Sequence, residues 1–239
     1  MKGPYPNHAA AMAQATGYDS PLVSQKVEEA TRAVLEGRAG YERDGTAFAT
    51  RPKLTIYEVL QPLIREGSTI ADFGGGLGGL FFNAPELFPP SCRKLVIEQA
   101  SMVEAGRRLA RDHQLPLEFL TSEALDIPAV DVLVVSGVLQ FLEDPWDCVR
   151  LLLHQANPAA VIIDRTAVGA GPSRWHVQTN PGYYNEEVSY PVQVLNRQQL
   201  LEAFPGFRLV RRWHNSFDPG RPEHIGMLLL RDDAEGSKG

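Results

Sequence analysis

The fold of this chain is decided by the stretch Thr69-Ile70-Ala71-Asp72-Phe73-Gly74-Gly75-Gly76-Leu77-Gly78-Gly79. A β-branched and apolar run ends there in a carboxylate, and five glycines follow within six positions. This order is typical of a strand that leaves a sheet and enters a loop whose backbone closely approaches another group. The stretch therefore predicts a binding loop for a nucleotide-like cofactor.

Short apolar runs alternate with helical patterns after this first strand, which is predicted at 68–73. Strands are predicted at 94–98, 117–121, 131–136 and 160–164, with helices at 101–113 and 144–157. Such alternation indicates a parallel sheet covered on both faces. Runs at 207–213 and 225–231 have no helix between them and predict an antiparallel hairpin at the sheet edge. The predicted fold class is α/β, a doubly wound, Rossmann-like, seven-stranded and mostly parallel sheet with an antiparallel terminal hairpin.

The chain is expected to divide into an N-terminal arm and helical cap, residues 1–66, and a main domain, residues 67–239. Residues 1–17 show no period and predict a loosely ordered arm. Ser20-Pro21 caps a predicted helix that Gly37 ends, a charged turn follows at 41–45, and Pro62 kinks a second helix at 53–65. Residues 166–192 have no strong period and are dense in aromatic, Asn, Gly and Pro residues, which predicts a lid insertion.

Composition narrows the expected partners and location. Lys and Arg number 23 against 29 Asp and Glu, and the net charge of −6 gives no general attraction to nucleic acid or an anionic membrane. Cys92 and Cys148 form no metal-ligand spacing and fit a reduced compartment. The N-terminus has no signal-peptide pattern, and no apolar run reaches about 18 residues. We expect a cytoplasmic protein with no metal, nucleic-acid or membrane partner, and a homodimer as its candidate assembly.

The glycines at 74, 76 and 79 match the pattern G-x-G-x-x-G. This pattern fits dinucleotide binding and also the related loop of S-adenosylmethionine-dependent methyltransferases. Asp72 favours the second interpretation, because a carboxylate suits the cationic aminoacyl end and sulfonium of S-adenosylmethionine and would repel a pyrophosphate. Glu98 ends the second strand, where an acidic side chain can accept hydrogen bonds from ribose hydroxyls in either class of site. Glu98 alone leaves the choice open.

Two further runs resemble methyltransferase motifs. Residues 122–128 resemble the run in which an acidic residue binds the adenine amino group; Glu123 lies at that position, and Asp126 competes with it. Residues 130–145 resemble the fourth-strand region of class I methyltransferases, with Gln140 where many relatives carry histidine. From about residue 68 onward the chain is similar to class I S-adenosylmethionine-dependent methyltransferases. It also resembles a bacterial family that is assigned to methyltransferases from sequence and has no assigned substrate, at residues 17–19, 41–44, 164–166 and 189–191.

This resemblance implies S-adenosylmethionine as cofactor, S-adenosylhomocysteine as product and a small molecule as acceptor. For Arg43, which lies near an aromatic residue in a predicted turn, we expect contact with the cofactor carboxylate or an anionic substrate. The residues implied in cofactor binding are Asp72, Gly74, Gly75, Gly76, Glu98, Gln99, Ser122, Glu123, Ser136, Gly137, Tyr41 and Arg43.

A methyl donor that is already activated needs a general base only for an acceptor of high pKa, such as a hydroxyl. His176 is the first candidate for this base because it can titrate near neutrality and lies in the predicted lid. His214 is the second candidate. Asp164 and Arg165 end a strand where open α/β sheets place ligands, or they form a buried ion pair. Aromatic residues at 175, 183 and 184 form either a wall for the acceptor or an anchor for the loop. The catalytic candidates are His176, Tyr184, Tyr190, Asp164 and Arg165.

The predicted function is methyl transfer from S-adenosylmethionine to a hydroxyl or amine of a small molecule, with a sugar or natural-product intermediate favoured. An NAD(P)-dependent Rossmann oxidoreductase is the alternative enzyme, and Asp72 and the terminal hairpin argue against it. A non-catalytic binding protein that keeps the methyltransferase fold is the alternative without turnover.

Overall fold

The computed structural model describes residues 1–17, 21–123, 126–180, 188–216 and 222–232. Its strands are β1 (Lys2–Tyr5), β2 (Tyr41–Arg43), β3 (Thr46–Phe48), β4 (Thr69–Phe73), β5 (Arg93–Glu98), β6 (Glu118–Thr121), β7 (Val132–Ser136), β8 (Ala160–Gly169), β9 (Arg174–Asn180), β10 (Val188–Asn196), β11 (Phe207–Ser216) and β12 (Glu223–Arg231). Its helices are α1 (His8–Met12), α2 (Pro21–Leu35), α3 (Thr55–Leu60), α4 (Gly79–Phe82), α5 (Ala100–Asp112), α6 (Pro145–Ala156) and α7 (Arg197–Glu202). Short 3-10 turns lie at Gln61–Leu63, Pro85–Leu87 and Leu139–Phe141.

Seven of these strands form the predicted central sheet, in the order β6-β5-β4-β7-β8-β12-β11. The first five are parallel, and β12 enters antiparallel between β8 and β11. This arrangement confirms the doubly wound sheet and its antiparallel terminal hairpin.

Both faces of the sheet are covered, because successive residues of each central strand are buried on opposite sides. On β4, Ala71 belongs to the apolar cluster that includes α6 and α7, whereas Ile70 belongs to the cluster that includes α3, α4 and α5. Both residues are 0% exposed. A strand buried on both faces reads as a continuous apolar run, which is why these strands were visible in the sequence.

Three further strands extend the sheet beyond β8, in the order β10, β9 and β1. The interpretation of residues 166–192 as a segment without regular structure was wrong for most of its described part, since β8 continues to Gly169 and β9 and β10 pair antiparallel. Trp175 and Val177 alternate with polar residues on β9 and bury one face of it against Ala11 of α1. The loosely ordered arm expected at 1–17 is likewise β1, which pairs with β9, and α1. Whether residues 166–192 act as a lid stays a prediction.

Among the remaining N-terminal elements, the segment at 41–48 lies near the carboxyl ends of the parallel strands, where Asp44 pairs with Arg165 of β8. The predicted charged turn at 41–45 is a hairpin of β2 and β3, with Asp44 and Gly45 at positive φ. The side-chain amide of Asn83, just after α4, bonds to both the N–H and the carbonyl of Glu42, each at 2.9 Å. Pro62 lies in the 3-10 turn that continues α3. The hairpin is therefore attached directly to the helix that follows the glycine loop.

A search for membrane-crossing helices, restricted to the described ranges, finds none of sufficient length and apolarity.

Candidate functional site

The glycine loop after β4 allows no side chain at its first two positions. Gly74 has φ +70°, and a Cβ there would lie 2.7 Å from Cγ2 of Val138, which follows β7. A Cβ at Gly75 would lie 2.6 Å from Oδ2 of Asp72. Contacts this short are excluded for real side chains, so the loop backbone lies against Asp72 and the end of β7 only because these residues are glycines.

Asp72 is a buried carboxylate beneath this loop, with 4% of its surface exposed. Burial raises its pKa to about 7; the charge of Arg165 lowers it and that of Glu98 raises it. Across the described residues no group donates a hydrogen bond to this carboxylate. A buried acid without donors favours a bound cation or a proton.

Glu98 ends the neighbouring strand β5 and reaches back to the same loop. Its carboxylate accepts a hydrogen bond from Gln99 N–H at 2.5 Å and also interacts with the N–H of Gly76. Burial raises the pKa of Glu98, these two N–H groups lower it, and the charge of Glu123 raises it. Ser122 donates its N–H to the Glu98 carbonyl at 2.8 Å. The structure therefore brings these predicted residues together, on the β5 and β6 side of the loop.

The two acidic residues proposed to bind adenine are not distinguished by burial. Glu123 and Asp126 are both exposed, and residues 124–125 between them lie outside the described ranges. The choice between the two carboxylates stays open.

On the other side of the loop, the guanidinium of Arg165 lies across the end of β7. Its Nε donates to Ser136 Oγ at 3.2 Å, and a Cβ at Gly137 would lie 3.2 Å from its Nη2. The backbone of Arg165 has φ +50°, a left-handed conformation that is uncommon for a residue with a long side chain. Gln140 Nε2 donates to the Arg165 carbonyl at 3.1 Å. Gln140 therefore positions Arg165.

Asp164 is held by the terminal hairpin. It is 4% exposed, and its Oδ1 accepts hydrogen bonds from Trp213 Nε1 at 2.9 Å and Asn215 Nδ2 at 2.7 Å. Asn215 also accepts a hydrogen bond from Arg165 N–H at 3.1 Å. Asp164 thus anchors β11 to β8 and orients its neighbour, which supports the interpretation of Asp164 as a structural residue. The sequence carried no signal for Trp213 or Asn215, because they come from a strand about 50 positions later.

Arg165 and Arg43 both pair with Asp44 of the hairpin turn. Contact of Arg43 with the cofactor carboxylate or an anionic substrate stays a prediction. The Arg165 side chain is 30% exposed, and its Nη1 lies 3.6 Å from Asp44 Oδ2. Burial by itself would lower the pKa of Arg165, but Asp44 and Asp164 raise it above its ordinary value. Arg43 is 42% exposed and pairs through Nε with Asp44 at 3.4 Å. Arg165 therefore stays charged among several carboxylates.

Two tyrosines complete this side of the site. Tyr41 on β2 is 6% exposed, and burial raises its pKa, against the charges of Arg43 and Arg165. Tyr57 on α3, which the sequence analysis missed, has its pKa raised by burial, by Tyr41 and by Asp72. The charge of Arg165 acts on both phenols, and that of Asp72 acts on Tyr57.

Of the remaining catalytic candidates, Tyr190 lies beside the turn that follows β7. Its ring meets that of Phe141, in the 3-10 turn after β7, edge to face at 5.5 Å, and Gln178 Nε2 donates to its hydroxyl at 3.1 Å. Val27 of α2 packs against the same pair. Tyr184 lies outside the described residues.

The structure does not place the two histidine candidates among the residues described above around the glycine loop and Arg165. His176 lies on β9 beside β1: a Cβ at Gly3 would lie 3.2 Å from its Nδ1. Burial, the N-terminal amine and Arg174 lower the pKa of His176. His214 lies on β11 with its Nδ1 2.7 Å from Glu223 Oε1. The general-base role of His176 stays a prediction.

Trp175, assigned either to an acceptor wall or to an anchor, buries its ring with α1 and is an anchor.

Within the described residues, no group of three or more His, Cys, Asp or Glu side chains is arranged so that it could hold a metal ion.

Comparison with known proteins establishes the fold. No protein-family model matches the chain, and no curated protein matches it in sequence. Among solved structures, the glycopeptide N-methyltransferase MtfA complexed with sinefungin has a TM-score of 0.55 at 13% identity, over 81% of this chain and 90% of that one. A SAM-dependent methyltransferase from Methanosarcina mazei has a TM-score of 0.56 at 12% identity, over 72% and 96%. The N-terminal domain of EvdMO1, with SAH and D-fucose, has a TM-score of 0.51 at 15% identity, over 89% and 98%.

At these identities the likeness concerns the fold alone. The chain has the fold of S-adenosylmethionine-dependent methyltransferases, which confirms the fold class expected from its sequence.

Proposed function

We propose that the chain is an S-adenosylmethionine-dependent methyltransferase that acts on a small molecule. One observation carries this proposal: the buried carboxylate of Asp72 and the half-buried carboxylate of Glu98 lie at the ends of adjacent parallel strands, on either side of a glycine loop whose backbone approaches them. Ligands of open α/β sheets bind at this edge. The excess of carboxylate over guanidinium in the site favours a cationic cofactor over an anionic pyrophosphate.

The residues present fit the parts of that cofactor. Asp72 would balance the positive charge near the loop, and Glu98 would accept hydrogen bonds from ribose hydroxyls, with Gln99 and Gly76 fixing its carboxylate. Glu123 or Asp126 would accept a hydrogen bond from the adenine amino group. The bound cofactor supplies an activated methyl group, so the protein has to orient an acceptor and exclude water. Solved methyltransferases of this fold include structures with sinefungin and with S-adenosylhomocysteine.

For the acceptor, we propose a hydroxyl or amine of a sugar or natural-product intermediate. Tyr190 and Phe141 offer an aromatic surface next to the end of β7, and Arg165, whose side chain is 30% exposed, offers guanidinium N–H donors. The solved relatives of this fold include a glycopeptide N-methyltransferase and a domain crystallised with D-fucose. The candidate bases His176, Tyr184 and Tyr190, the homodimer and the cytoplasmic location stay predictions from the sequence.

Titration calorimetry tests the cofactor, with S-adenosylhomocysteine, NAD and NADP as ligands. We expect binding of S-adenosylhomocysteine alone, and loss of that binding in Asp72→Ala. Binding of only a dinucleotide would instead identify an oxidoreductase. A screen for transfer of a labelled methyl group to metabolite pools, with Asp72→Ala as control, then separates an enzyme from a protein that binds the cofactor without turnover.

A further inference from the structure

Glu42 on β2 is a buried carboxylate that forms no ion pair with any described residue. It is 8% exposed, and its Oε1 accepts a hydrogen bond from Gly45 N–H at 2.9 Å. Across the described residues its Oε2 receives no hydrogen bond, and no Lys, Arg or His nitrogen lies within 4.0 Å of it. The hairpin turn uses one oxygen of this carboxylate and leaves the other without a partner.

The second oxygen is aimed at the backbone of the glycine loop. The position of a Cβ at Gly79, the last glycine of the loop and first residue of α4, lies 3.4 Å from Glu42 Oε2. The two hydrogen bonds between the Asn83 side chain and the Glu42 backbone, described above, hold Glu42 against this helix. Glu42 is therefore fixed in place before any ligand arrives.

The surroundings of Glu42 carry surplus negative charge. Burial raises its pKa to about 7; Asp44 raises it, whereas the N–H of Gly45 and the charge of Arg165 lower it. Asp72 lies under the same loop and is also buried. A buried carboxylate in such surroundings is stabilised by a positive group that also donates hydrogen bonds.

The position of Glu42 indicates which end of a bound cofactor it meets. Glu98 and Glu123 lie on the β5 and β6 side of the loop, where the proposed function places the ribose and adenine. The hairpin that carries Glu42 reaches Arg165 on β8 through Asp44, on the opposite side. The aminoacyl end of the cofactor is the part that extends away from the adenosine. Of its two cationic groups, the ammonium offers three N–H donors, whereas the sulfonium has no hydrogen to donate.

We propose that Glu42 Oε2 accepts a hydrogen bond from the ammonium group of the cofactor's aminoacyl end, an inference that rests on the proposed function. Glu42 is then a binding residue contributed by the N-terminal hairpin, outside the central sheet and its motifs. Its role is to recognise the amino acid part of the ligand and to couple ligand binding to the docked position of the hairpin.

Calorimetry with three ligands tests this assignment. The ligands are S-adenosylhomocysteine, its deaminated analogue that keeps the carboxylate, and 5′-methylthioadenosine, which lacks the aminoacyl end. The proteins are the wild type, Glu42→Gln, which keeps an oxygen for Gly45 N–H, and Glu104→Gln as the matched control at an exposed position of α5. Wild type should bind S-adenosylhomocysteine about tenfold to hundredfold more tightly than the deaminated analogue, the range expected for a charged hydrogen bond.

In Glu42→Gln that preference should disappear. Affinity for S-adenosylhomocysteine should fall by the same factor, while the other two ligands keep their affinities within about twofold. Equal loss for all three ligands would overturn the assignment and make Glu42 a structural residue. Unchanged binding of S-adenosylhomocysteine, or a wild type without preference for the amine, would overturn it as well. A wild type that binds none of the three ligands would overturn the proposed function itself.

Discussion

Replacing Asp72 with Asn should make the protein more stable at neutral and alkaline pH. The native structure holds the Asp72 carboxyl at 4% exposure with no hydrogen-bond donor among the described residues. Its folded-state pKa of about 7 is raised above the ordinary value of 3.8. Between these values the native state keeps a proton that the unfolded chain releases, so stability falls as pH rises. Asn has nearly the same shape and carries no such cost.

The size of the effect follows from the same two values. At about 1.4 kcal/mol per pKa unit, the gap between 3.8 and about 7 corresponds to a gain of about 4 kcal/mol for Asp72→Asn above pH 7. At pH 5.5 only the interval from pH 3.8 up to pH 5.5 contributes to the difference in stability, and the gain should be about 2 kcal/mol. Below pH 3.8 the gain should vanish, because both states of the wild type are then protonated.

Urea unfolding at pH 5.5 and pH 8 measures these gains as differences in the free energy of unfolding. Asp112→Asn, at a side chain that is 55% exposed, is the control and should change stability by no more than about 0.5 kcal/mol at either pH. The same Asp72→Asn protein should fail to bind S-adenosylhomocysteine. A variant that is no more stable than the wild type at pH 8, or whose gain does not change with pH, would refute the reasoning.

Three further substitutions probe the supports of the site. Gly74→Ala combines a left-handed backbone with a contact of 2.7 Å and should lower the free energy of unfolding by about 2 kcal/mol or more; Gly171→Ala, with no atom within 4 Å of its Cβ position, should be nearly neutral in the same denaturation assay. Asp164→Ala leaves a buried indole and an amide without their acceptor and should cost about 2–4 kcal/mol, seen also as a change in tryptophan fluorescence; unaltered stability would contradict the anchoring role. Asn83→Ala removes both hydrogen bonds to the Glu42 backbone and should speed hydrogen exchange of the Glu42 amide while leaving exchange in β5 unchanged.

The central sheet could be predicted from the sequence because its strands are buried on both faces. Residues 132–136 are an apolar run that ends in Ser136, and its short length, its valines and the glycine that follows favour a buried strand over a helix. The extension could not be predicted in the same way. In β9 buried Trp175 and Val177 alternate with polar residues over a short span. Strand β1 has four residues, and it forms by pairing with a segment about 170 positions away in the sequence.

The site shows the same division between local and distant signals. Asp72 and Glu98 stand at the ends of predicted strands, so the shared edge of a parallel sheet predicted their proximity. Arg43 was expected to contact the cofactor carboxylate or an anionic substrate, and this stays a prediction; the sequence did not show that a hairpin replaces the predicted turn and places Asp44 beside Arg165. Glu42 was missed for the same reason, since the direction of a side chain depends on whether the segment is a strand or a turn.

The insertion of β12 between β8 and β11 determines when the candidate site can be completed during synthesis of the chain. Strand β8 pairs with β12 from Ala160 to Val168, and Asp164 receives its donors from Trp213 and Asn215 on β11. A nascent chain that has reached only residue 205 therefore contains the glycine loop and Arg165 but lacks Trp213 and Asn215, which bind Asp164 and the backbone N–H of Arg165. The Arg165 side of the candidate site is therefore completed only after β11 and β12 have been synthesised and β12 has paired with β8.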